Sequence, residues 1–139
     1  MSGVLHQATC IAIGGRAVLI EGPPGSGKSS LAMALIDRGA VLVGDDGVRL
    51  EAREGSLLAS PAPATSGKLE VRNLGLLDFP TASEVPVTLV VVLDEDAERW
   101  IETADKCERG GIELPLVRLW PGSPVLALRV ELALTHYGS

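Results

Sequence analysis

Eight consecutive residues have the types and the spacing that bind phosphate. The sequence GPPGSGKS at positions 22–29 matches the pattern Gly-x-x-x-x-Gly-Lys-Ser at every fixed position. Phosphate groups need several converging hydrogen-bond donors, and the backbone N–H groups at the start of a helix supply them together with a favourable dipole. Lys28 would place a positive charge between the β- and γ-phosphates, and the Ser29 hydroxyl would coordinate Mg²⁺. We therefore predict a phosphate-binding P-loop for ATP and Mg²⁺.

The composition of the loop indicates which residues contact the nucleotide. Pro23 and Pro24 have no N–H group, so the donors must come from the residues that follow them. Glycine permits positive φ angles and a close approach of phosphate oxygens to the backbone. The predicted nucleotide-binding residues are Gly22, Gly25, Ser26, Gly27, Lys28, Ser29 and Ser30.

The segments on either side of the loop have the patterns of a strand and a helix. Residues 16–20 are a β-rich run whose last four residues are apolar, as in a short buried strand, and residues 29–38 have apolar residues at helical spacing before Gly39. Residues 8–13 are a second β-rich run, and the two glycines at 14 and 15 predict a hairpin between the runs.

The predicted hairpin also fixes a register. If Ile13 lies opposite Arg16, the same ladder continued places His6 opposite Pro23, beside the P-loop. A single histidine is more often solvated or structural than catalytic. Because this register brings it to the P-loop, we keep His6 as a candidate catalytic residue.

A pair of carboxylates follows the next predicted strand. Residues 40–44 are continuously apolar, which predicts a parallel strand buried on both faces, and Asp45 and Asp46 come directly after it. A strand–helix–strand unit brings these side chains to the same edge of the sheet as the P-loop. Asp-Asp-Gly is also good turn chemistry. Since Mg²⁺ and the phosphoryl acceptor must lie at this edge, we favour a functional role for both carboxylates.

The rest of the chain predicts an α/β fold. Further strands are expected at 48–54, 57–60, 69–72, 87–93 and 112–120, the last at a sheet edge because Pro115 interrupts it. Helices are expected at 94–109 and 124–137, the second with Ser123 as N-cap, and 79–86 is expected to be a mobile loop near the site. We predict one P-loop kinase-like catalytic domain over 1–139, with a mixed, partly parallel sheet, an N-terminal hairpin and flanking helices.

A second acidic segment competes for the metal. Residues 89–95, LVVVLDE, have the pattern of a Walker B strand whose acidic end, at Asp94, would complete the Mg²⁺ site. Acidic residues in the first turn of a helix are, however, favoured by the dipole alone. A phosphoryl-transfer site needs one carboxylate at the metal and another that accepts the proton of the acceptor hydroxyl. The residue types alone do not decide whether the carboxylates at 45–46 or those at 94–95 fill these two roles.

Composition excludes several classes of function. A net charge of −6 and a pI near 4.8 argue against general nucleic-acid binding and against docking to anionic membranes. No apolar run approaches the roughly 20 residues of a membrane span, and the N-terminus has no signal-peptide pattern. Cys10 and Cys107 form neither a disulfide framework nor a metal motif. We expect a cytoplasmic protein.

Four elements in the same order resemble the HPr kinase/phosphorylase family. They are LHQA at 5–8, GPPGSGKSS at 22–30, the strand that ends in two aspartates, and LEVRNLGLLDF at 69–79. The last element is similar to a family signature Glu-Ile-Arg-Gly-Leu-Gly-Ile-Ile, with Asn73 in place of its first glycine. The resemblance covers roughly residues 5–93 and is to the C-terminal catalytic domain of longer family members.

This resemblance implies an activity and a role for each site residue. The family phosphorylates a serine of the small phosphocarrier HPr of the phosphotransferase system and can reverse the reaction with inorganic phosphate. The implied roles are Lys28 for phosphate, Ser29, Asp46 and Glu70 for Mg²⁺, and Asp45 as general base. His6 would orient or tune Asp45, and Arg72 would stabilise phosphate charge or position the loop. The family is usually hexameric, which implies a homo-oligomer.

Two other classes of function stay open at the level of the sequence. One is a small-molecule kinase or a general P-loop ATPase that uses Asp94 as Walker B. The other is a nucleotide-sensing regulator that binds ATP and catalyses little. The resemblance favours an ATP-dependent protein serine kinase that acts on an HPr-like carrier.

Overall fold

The computed structural model describes residues 3–139 and has a mixed α/β fold. Its two α-helices are α1 (Lys28–Asp37) and α2 (Leu126–Tyr137), and Pro63–Thr65 forms a short 3₁₀ helix. Its strands are β1 (Val4–His6), β2 (Thr9–Ile13), β3 (Arg16–Glu21), β4 (Val41–Gly44), β5 (Val48–Arg53), β6 (Ser56–Pro61), β7 (Lys68–Val71), β8 (Gly75–Asp78), β9 (Val85–Leu93), β10 (Asp105–Arg109) and β11 (Ile112–Leu119). No helix within 3–139 is long and apolar enough to cross a membrane.

Nine of the strands form one mixed sheet around β9. The order along one path is β1-β5-β6-β9-β3-β2-β4, while β11 pairs with β9 and carries β10 on its other side. The long strand β9 pairs antiparallel with β6 at its start and parallel with β3 and β11 further along. β7 and β8 form a separate hairpin. The expectation of a mixed, partly parallel sheet with flanking helices is confirmed.

The three parallel strands end at one edge of the sheet. β3 and β11 both run parallel to β9, so the segments that follow them emerge side by side. These segments are the P-loop after β3, residues 94–96 after β9 and residues 120–121 after β11. In open α/β sheets, ligands bind outside such carboxyl ends.

Strand β4 ends at this edge without the parallel pairing that the sequence predicted. Within residues 3–139 its only strand partner is β2, and that ladder is antiparallel, so β4 ends the strand order; a single parallel bridge joins Leu42 to Thr81 on its other side. Because β2 is also antiparallel to β3, two reversals leave β4 running in the direction of β3. The predicted direction is therefore confirmed. The predicted burial holds for Leu42 and Val43 but not for Val41, which is exposed.

The N-terminal hairpin is confirmed, but its ladder ends before His6. Ile13 pairs with Arg16 and Thr9 with Ile20, the predicted register, and both turn glycines have positive φ. The chain then leaves β3, and β1 pairs instead with β5, where His6 lies opposite Val48. The predicted pairing of His6 with Pro23 is wrong, because β1 joins a different part of the sheet.

Two apolar cores lie on opposite faces of the sheet. Alternate residues of β3 point to different faces, so Val18 and Ile20 pack in one core while Ala17 and Leu19 pack in the other. The first core is covered by α1 and α2, and the second is enclosed by the curled antiparallel part of the sheet. With 46% hydrophobic residues but few aromatics, these cores are built mainly from Val, Leu, Ile and Ala.

The predicted helix at 94–109 is wrong. Residues 94–104 form turns and irregular chain, and 105–109 form β10, which pairs with β11 across a turn of two glycines at 110 and 111 with φ 57° and 83°. The two largest apolar residues that suggested a helix face water, since Trp100 is 83% and Ile101 is 37% exposed. Asp94 caps a turn instead, because its Oδ1 accepts a hydrogen bond from the Asp96 N–H at 2.8 Å.

Three further expectations concern element ends. Helix α1 ends as predicted, with Gly39 at φ 108° and the Ala40 N–H bonded to the Leu35 carbonyl at 3.0 Å. Strand β11 is not an edge strand: its pairing with β9 begins at Leu116, directly after Pro115, and β10 takes the edge. Helix α2 begins at Leu126, two residues later than predicted.

Candidate functional site

The P-loop begins helix α1 with its donors directed outward. Gly25 and Gly27 have φ of 79° and 98°, conformations that a side chain would strain, and Gly27 is the N-cap. The Leu31 N–H bonds to the Gly27 carbonyl at 2.9 Å, so the regular helix starts immediately after the loop. This geometry leaves the first N–H groups of α1 available to an anion.

Gly22 is required for a different reason. A Cβ at this position would lie 2.8 Å from the Ser26 Oγ and 3.2 Å from the Leu93 Cβ, closer than ordinary contact allows. The Ser26 hydroxyl is turned inward and has no hydrogen-bond partner among residues 3–139. Gly22 therefore lets the loop fold tightly against the end of β9.

A cavity of about 450 Å³ lies over the P-loop and gathers most of the predicted site residues. It is lined by Thr9, Pro24, Gly25, Ser26, Gly27, Lys28, Ser29, Ser30, Asp45, Asp46, Glu70 and Arg72. The predicted residues outside this lining are Gly22, beneath the loop, and His6. The loop after β3, the end of β4 and the end of β7 thus meet at one place.

Asp45 lies at the centre of the hydrogen bonds in this cavity. Its carboxylate accepts from the Ser29 hydroxyl, at 2.8 Å to Oδ1 and 3.0 Å to Oδ2, and from the Thr9 hydroxyl at 3.0 Å. The Glu70 N–H donates to Oδ2 at 3.2 Å. Asp45 is only 7% exposed, and these donors compensate for its burial. Thr9 was not predicted, because no motif marks it and only the fold brings it here.

Asp46 differs from its neighbour in exposure and in partners. It is exposed, has φ of 57°, and its Oδ1 accepts a hydrogen bond from the Gln7 side-chain amide at 2.9 Å. The left-handed conformation turns the chain, so the two carboxylates do not alternate as they would in a continued strand. Asp45 consequently faces Ser29, while Asp46 faces the open side of the cavity.

The cationic residues of the cavity come from two elements. Lys28 donates from Nζ to the carbonyl oxygens of Gly22 and Pro23, at 2.9 and 3.1 Å, so its side chain folds along the P-loop. Arg72 follows β7 and is exposed. Both line the same cavity, where they can neutralise phosphate charge.

The oxygen ligands in the cavity suit Mg²⁺ when phosphate is also bound. Within residues 3–139, no group of three or more His, Cys, Asp or Glu side chains is arranged to hold a metal ion by itself. Mg²⁺ in phosphoryl-transfer sites is usually held by one or two protein oxygens together with phosphate and water. The Ser29 hydroxyl and the nearby carboxylates match that requirement.

His6 belongs to an ion-pair cluster beneath the P-loop. Its Nε2 lies 2.8 Å from Oε2 of Glu21, the last residue of β3, and Arg109 binds the same carboxylate through two hydrogen bonds of 2.7 and 2.9 Å. Burial raises the pKa of Glu21, but the hydrogen bonds from Arg109 and His6 outweigh it, so the pKa is lower than usual. The predicted contact of His6 with Asp45 is not among the hydrogen bonds of the described residues. Sequence reasoning assigned no role to Arg109, because it was expected at the end of a helix and its contact with Glu21 depends on the β10–β11 hairpin.

Asp94 does not line the cavity that contains Ser29. It lines a second cavity, which contains Pro24, Gly25 and Ser26 of the loop but neither Lys28 nor Ser29. The Asp94 N–H bonds to the Leu119 carbonyl at 3.0 Å, which ties the end of β9 to the end of β11. The Walker B interpretation of Asp94 requires a place beside Ser29, and Asp45 occupies that place.

Comparison with known proteins agrees with this architecture. The family model for the HPr Serine kinase C-terminal domain matches residues 2–107. Proteins named HPr kinase/phosphorylase from Clostridium tetani and Streptococcus thermophilus are 49% and 36% identical over 48% and 76% of this chain. The solved structure of the Hpr(Ser) kinase/phosphatase from Coxiella burnetii matches with a TM-score of 0.83 and 26% identity, over 95% of this chain and 88% of that one.

The matches and the geometry of the P-loop together identify the class of this protein and its family. The fold and the loop are those of a P-loop domain of mixed α/β architecture. The chain belongs to the HPr serine kinase C-terminal domain family. It spans 22% and 38% of the length of the Clostridium tetani and Streptococcus thermophilus relatives.

Proposed function

We propose that this protein is a cytoplasmic ATP-dependent protein serine kinase that phosphorylates an HPr-like phosphocarrier of a phosphotransferase system. The observation that carries the proposal is the cavity in which Lys28 and Ser29 of the P-loop meet Asp45, Asp46 and Glu70. A cation, an Mg²⁺-type oxygen ligand and several carboxylates are the groups that phosphoryl transfer requires. The relatives' names supply the acceptor, and the reverse reaction with inorganic phosphate is part of the same proposal.

The reaction we propose is in-line transfer of the γ-phosphoryl group. The acceptor serine oxygen bonds to the γ-phosphorus while the bond from that phosphorus to the β–γ bridging oxygen breaks, and ADP leaves. The serine proton passes to a carboxylate of the site. The backbone N–H groups of the P-loop and the Lys28 ammonium bind the phosphates, and Arg72 balances their charge at the open side.

Mg²⁺, when bound, would neutralise phosphate charge and fix the geometry of the phosphate chain. From the family resemblance we assign Ser29, Asp46 and Glu70 to the metal and Asp45 to the serine proton. On this assignment, Asp45→Asn removes the general base, while the amide keeps the size of the side chain. The expected loss in the rate of transfer is about 10²–10⁴-fold.

The contacts of Asp45 also permit a second assignment, which an experiment can separate from the first. Because the Ser29 hydroxyl donates to Asp45, this carboxylate is also placed to hold a metal-bound Ser29, and the exposed Asp46 could then take the proton. Transfer by Asp45→Asn and Asp46→Asn should be measured against Mg²⁺ concentration. The variant of the metal residue needs more Mg²⁺ to reach its maximum, whereas the variant of the base stays slow at saturating Mg²⁺.

The other two functions receive less support. A small-molecule kinase or general ATPase that uses Asp94 as Walker B lacks the contact between Asp94 and Ser29 that it needs. A nucleotide-sensing regulator would need carboxylates for Mg²⁺ but not a further one to accept the serine proton. The resemblance also implies a homo-oligomer, which sedimentation of the purified chain tests independently of activity.

The acceptor is tested by transfer of label from γ-labelled ATP. Purified HPr-type carriers from the same cell are incubated with the protein and Mg²⁺, and the labelled residue is identified by mass spectrometry. We expect phosphate on one serine, with Asp94→Asn active and Lys28→Met inactive. Tight ATP binding without any labelled carrier would contradict the proposal that an HPr-like carrier is the substrate and would favour a nucleotide-sensing regulator.

A further inference from the structure

A second cavity adjoins the phosphate cavity on the other side of the P-loop. It has a volume of about 420 Å³, which lies in the range of roughly 300–1,000 Å³ that ligand clefts occupy. Its walls are the P-loop, the end of β9 with residues 94–96, and Pro121 after β11. The two cavities share Pro24, Gly25 and Ser26, so a ligand that fills both must cross the loop at these residues.

The position of this cavity in the fold favours a ligand. It lies where the parallel strands β3, β9 and β11 end, the place where open α/β sheets bind ligands.

The chemistry of the walls differs from that of the phosphate cavity. Pro23, Val92 and Pro121 are apolar, are not fully buried and can contact the faces of a flat ring. Glu95 and Asp96 are exposed carboxylates, and neither has an ion-pair partner among the described residues. Carboxylates accept hydrogen bonds from hydroxyl groups and repel phosphate.

We propose that this second cavity binds the nucleoside half of the nucleotide, with its base against the prolines and Val92 and its ribose hydroxyls donating to Glu95 and Asp96. The inference rests on the proposed ATP-dependent function and adds the orientation of the nucleotide. Repulsion from residues 94–96 keeps the triphosphate on the Lys28 side of the loop. The negative charge of this turn thereby selects one direction of binding.

The test separates the two halves of the nucleotide. Calorimetric titrations measure the affinity for ATP, for 2′,3′-dideoxy-ATP and for inorganic tripolyphosphate, with the unmodified protein and with Glu95→Gln/Asp96→Asn. The double variant keeps the shape of both side chains. Glu98→Gln is the matched control, because Glu98 lies two residues further along the same segment and outside this cavity.

We expect the double variant to bind ATP about tenfold more weakly, since it loses hydrogen bonds to charged acceptors. Its affinity for tripolyphosphate should be unchanged or higher, because negative charge is removed. The unmodified protein should prefer ATP to the dideoxy analogue by a similar factor, and the variant should lose this preference. Glu98→Gln should match the unmodified protein.

The outcomes that would overturn the inference differ from those that would overturn the function. The nucleoside site alone would be overturned if the double variant lost equal affinity for ATP and for tripolyphosphate, or if it bound ATP as tightly as the unmodified protein. The nucleoside site alone would also be overturned if the unmodified protein bound ATP no more tightly than tripolyphosphate. Failure of the unmodified protein to bind ATP at all would overturn the proposed function and this inference together.

Discussion

Replacing Arg109 with leucine should destabilise the protein at neutral pH by removing the main partner of Glu21. The guanidinium donates from Nη2 to Oε1 at 2.7 Å and from Nε to Oε2 at 2.9 Å, which is a paired, charge-assisted contact. The contact joins the end of β10 to the last residue before the P-loop, 88 positions away in the sequence. After the substitution, His6 is the remaining hydrogen-bonded partner of the Glu21 carboxylate.

The magnitude follows from how far the pair is buried. The side chains of Arg109 and Glu21 are 22% and 17% exposed. Breaking a fully buried pair costs about 3–5 kcal/mol, whereas exposed pairs contribute about 0–1 kcal/mol. We expect an intermediate loss of about 2 kcal/mol in the free energy of unfolding, because water still reaches this pair and His6 remains. For a chain of this length, that loss lowers the melting temperature by about 8 °C.

The pKa of Glu21 determines how the effect of the substitution on stability changes with pH. The pKa of Glu21 is lower in the folded protein than its ordinary value of 4.5. A lowered pKa stabilises the fold fully above 4.5, and the stabilisation is lost as the pH falls through the folded value. The difference in stability between the unmodified protein and Arg109→Leu should therefore be constant around pH 7 and should shrink below about pH 4.5.

Urea unfolding followed by circular dichroism between pH 7 and pH 3 measures this difference. Arg53→Leu is a suitable control, because Arg53 also pairs with two glutamates but is 45% exposed, and its loss should not be measurable. Arg109→Lys should recover part of the stability through its charge. An Arg109→Leu protein as stable as the unmodified one at pH 7 would refute the proposed strength of the contact.

Two further predictions concern the P-loop and the cysteines. Gly22→Ala should weaken ATP binding at least about tenfold in calorimetry, because its Cβ would press on the Ser26 Oγ and on Leu93; unchanged affinity would mean that the loop tolerates the shift. Burial raises the pKa of the Cys10 thiol and, less completely, that of Cys107. A thiol reagent at pH 8 should thus label Cys107 slowly and leave Cys10 unmodified until the protein unfolds, and rapid reaction of both would contradict the burial of Cys10.

The parts of the fold that could be predicted from sequence depend on local signals. The P-loop, helix α1 and the β2–β3 hairpin are each marked by glycines within a few residues of the feature they determine. The two glycines at 110 and 111 form the same kind of hairpin turn as those at 14 and 15. The apolar residues at 97, 100, 101 and 104 have helical spacing, and this pattern predicts a helix up to residue 109 and not a hairpin. The exposed position of Trp100 shows that this spacing does not mark a buried helix face.

The parts that could not be predicted depend on contacts between distant segments. Extending the β2–β3 ladder placed His6 beside the P-loop, but β1 pairs with β5, and this choice is made by the whole sheet. The contacts of Asp45 with Thr9 and Glu70 join segments 36 and 25 residues away. Local patterns therefore located the carboxylates at the correct edge, while their individual partners required the structure.

The central claim is that the cavity around Asp45 transfers a phosphoryl group, and a single-turnover experiment tests it most directly. The unmodified protein and Asp45→Asn are first shown to bind ATP with Mg²⁺, and the appearance of phosphoserine on the carrier is then followed with enzyme in excess. We predict that Asp45→Asn retains ATP binding but transfers at least about 100-fold more slowly at saturating Mg²⁺. Transfer by Asp45→Asn within a few-fold of the unmodified rate would contradict the account.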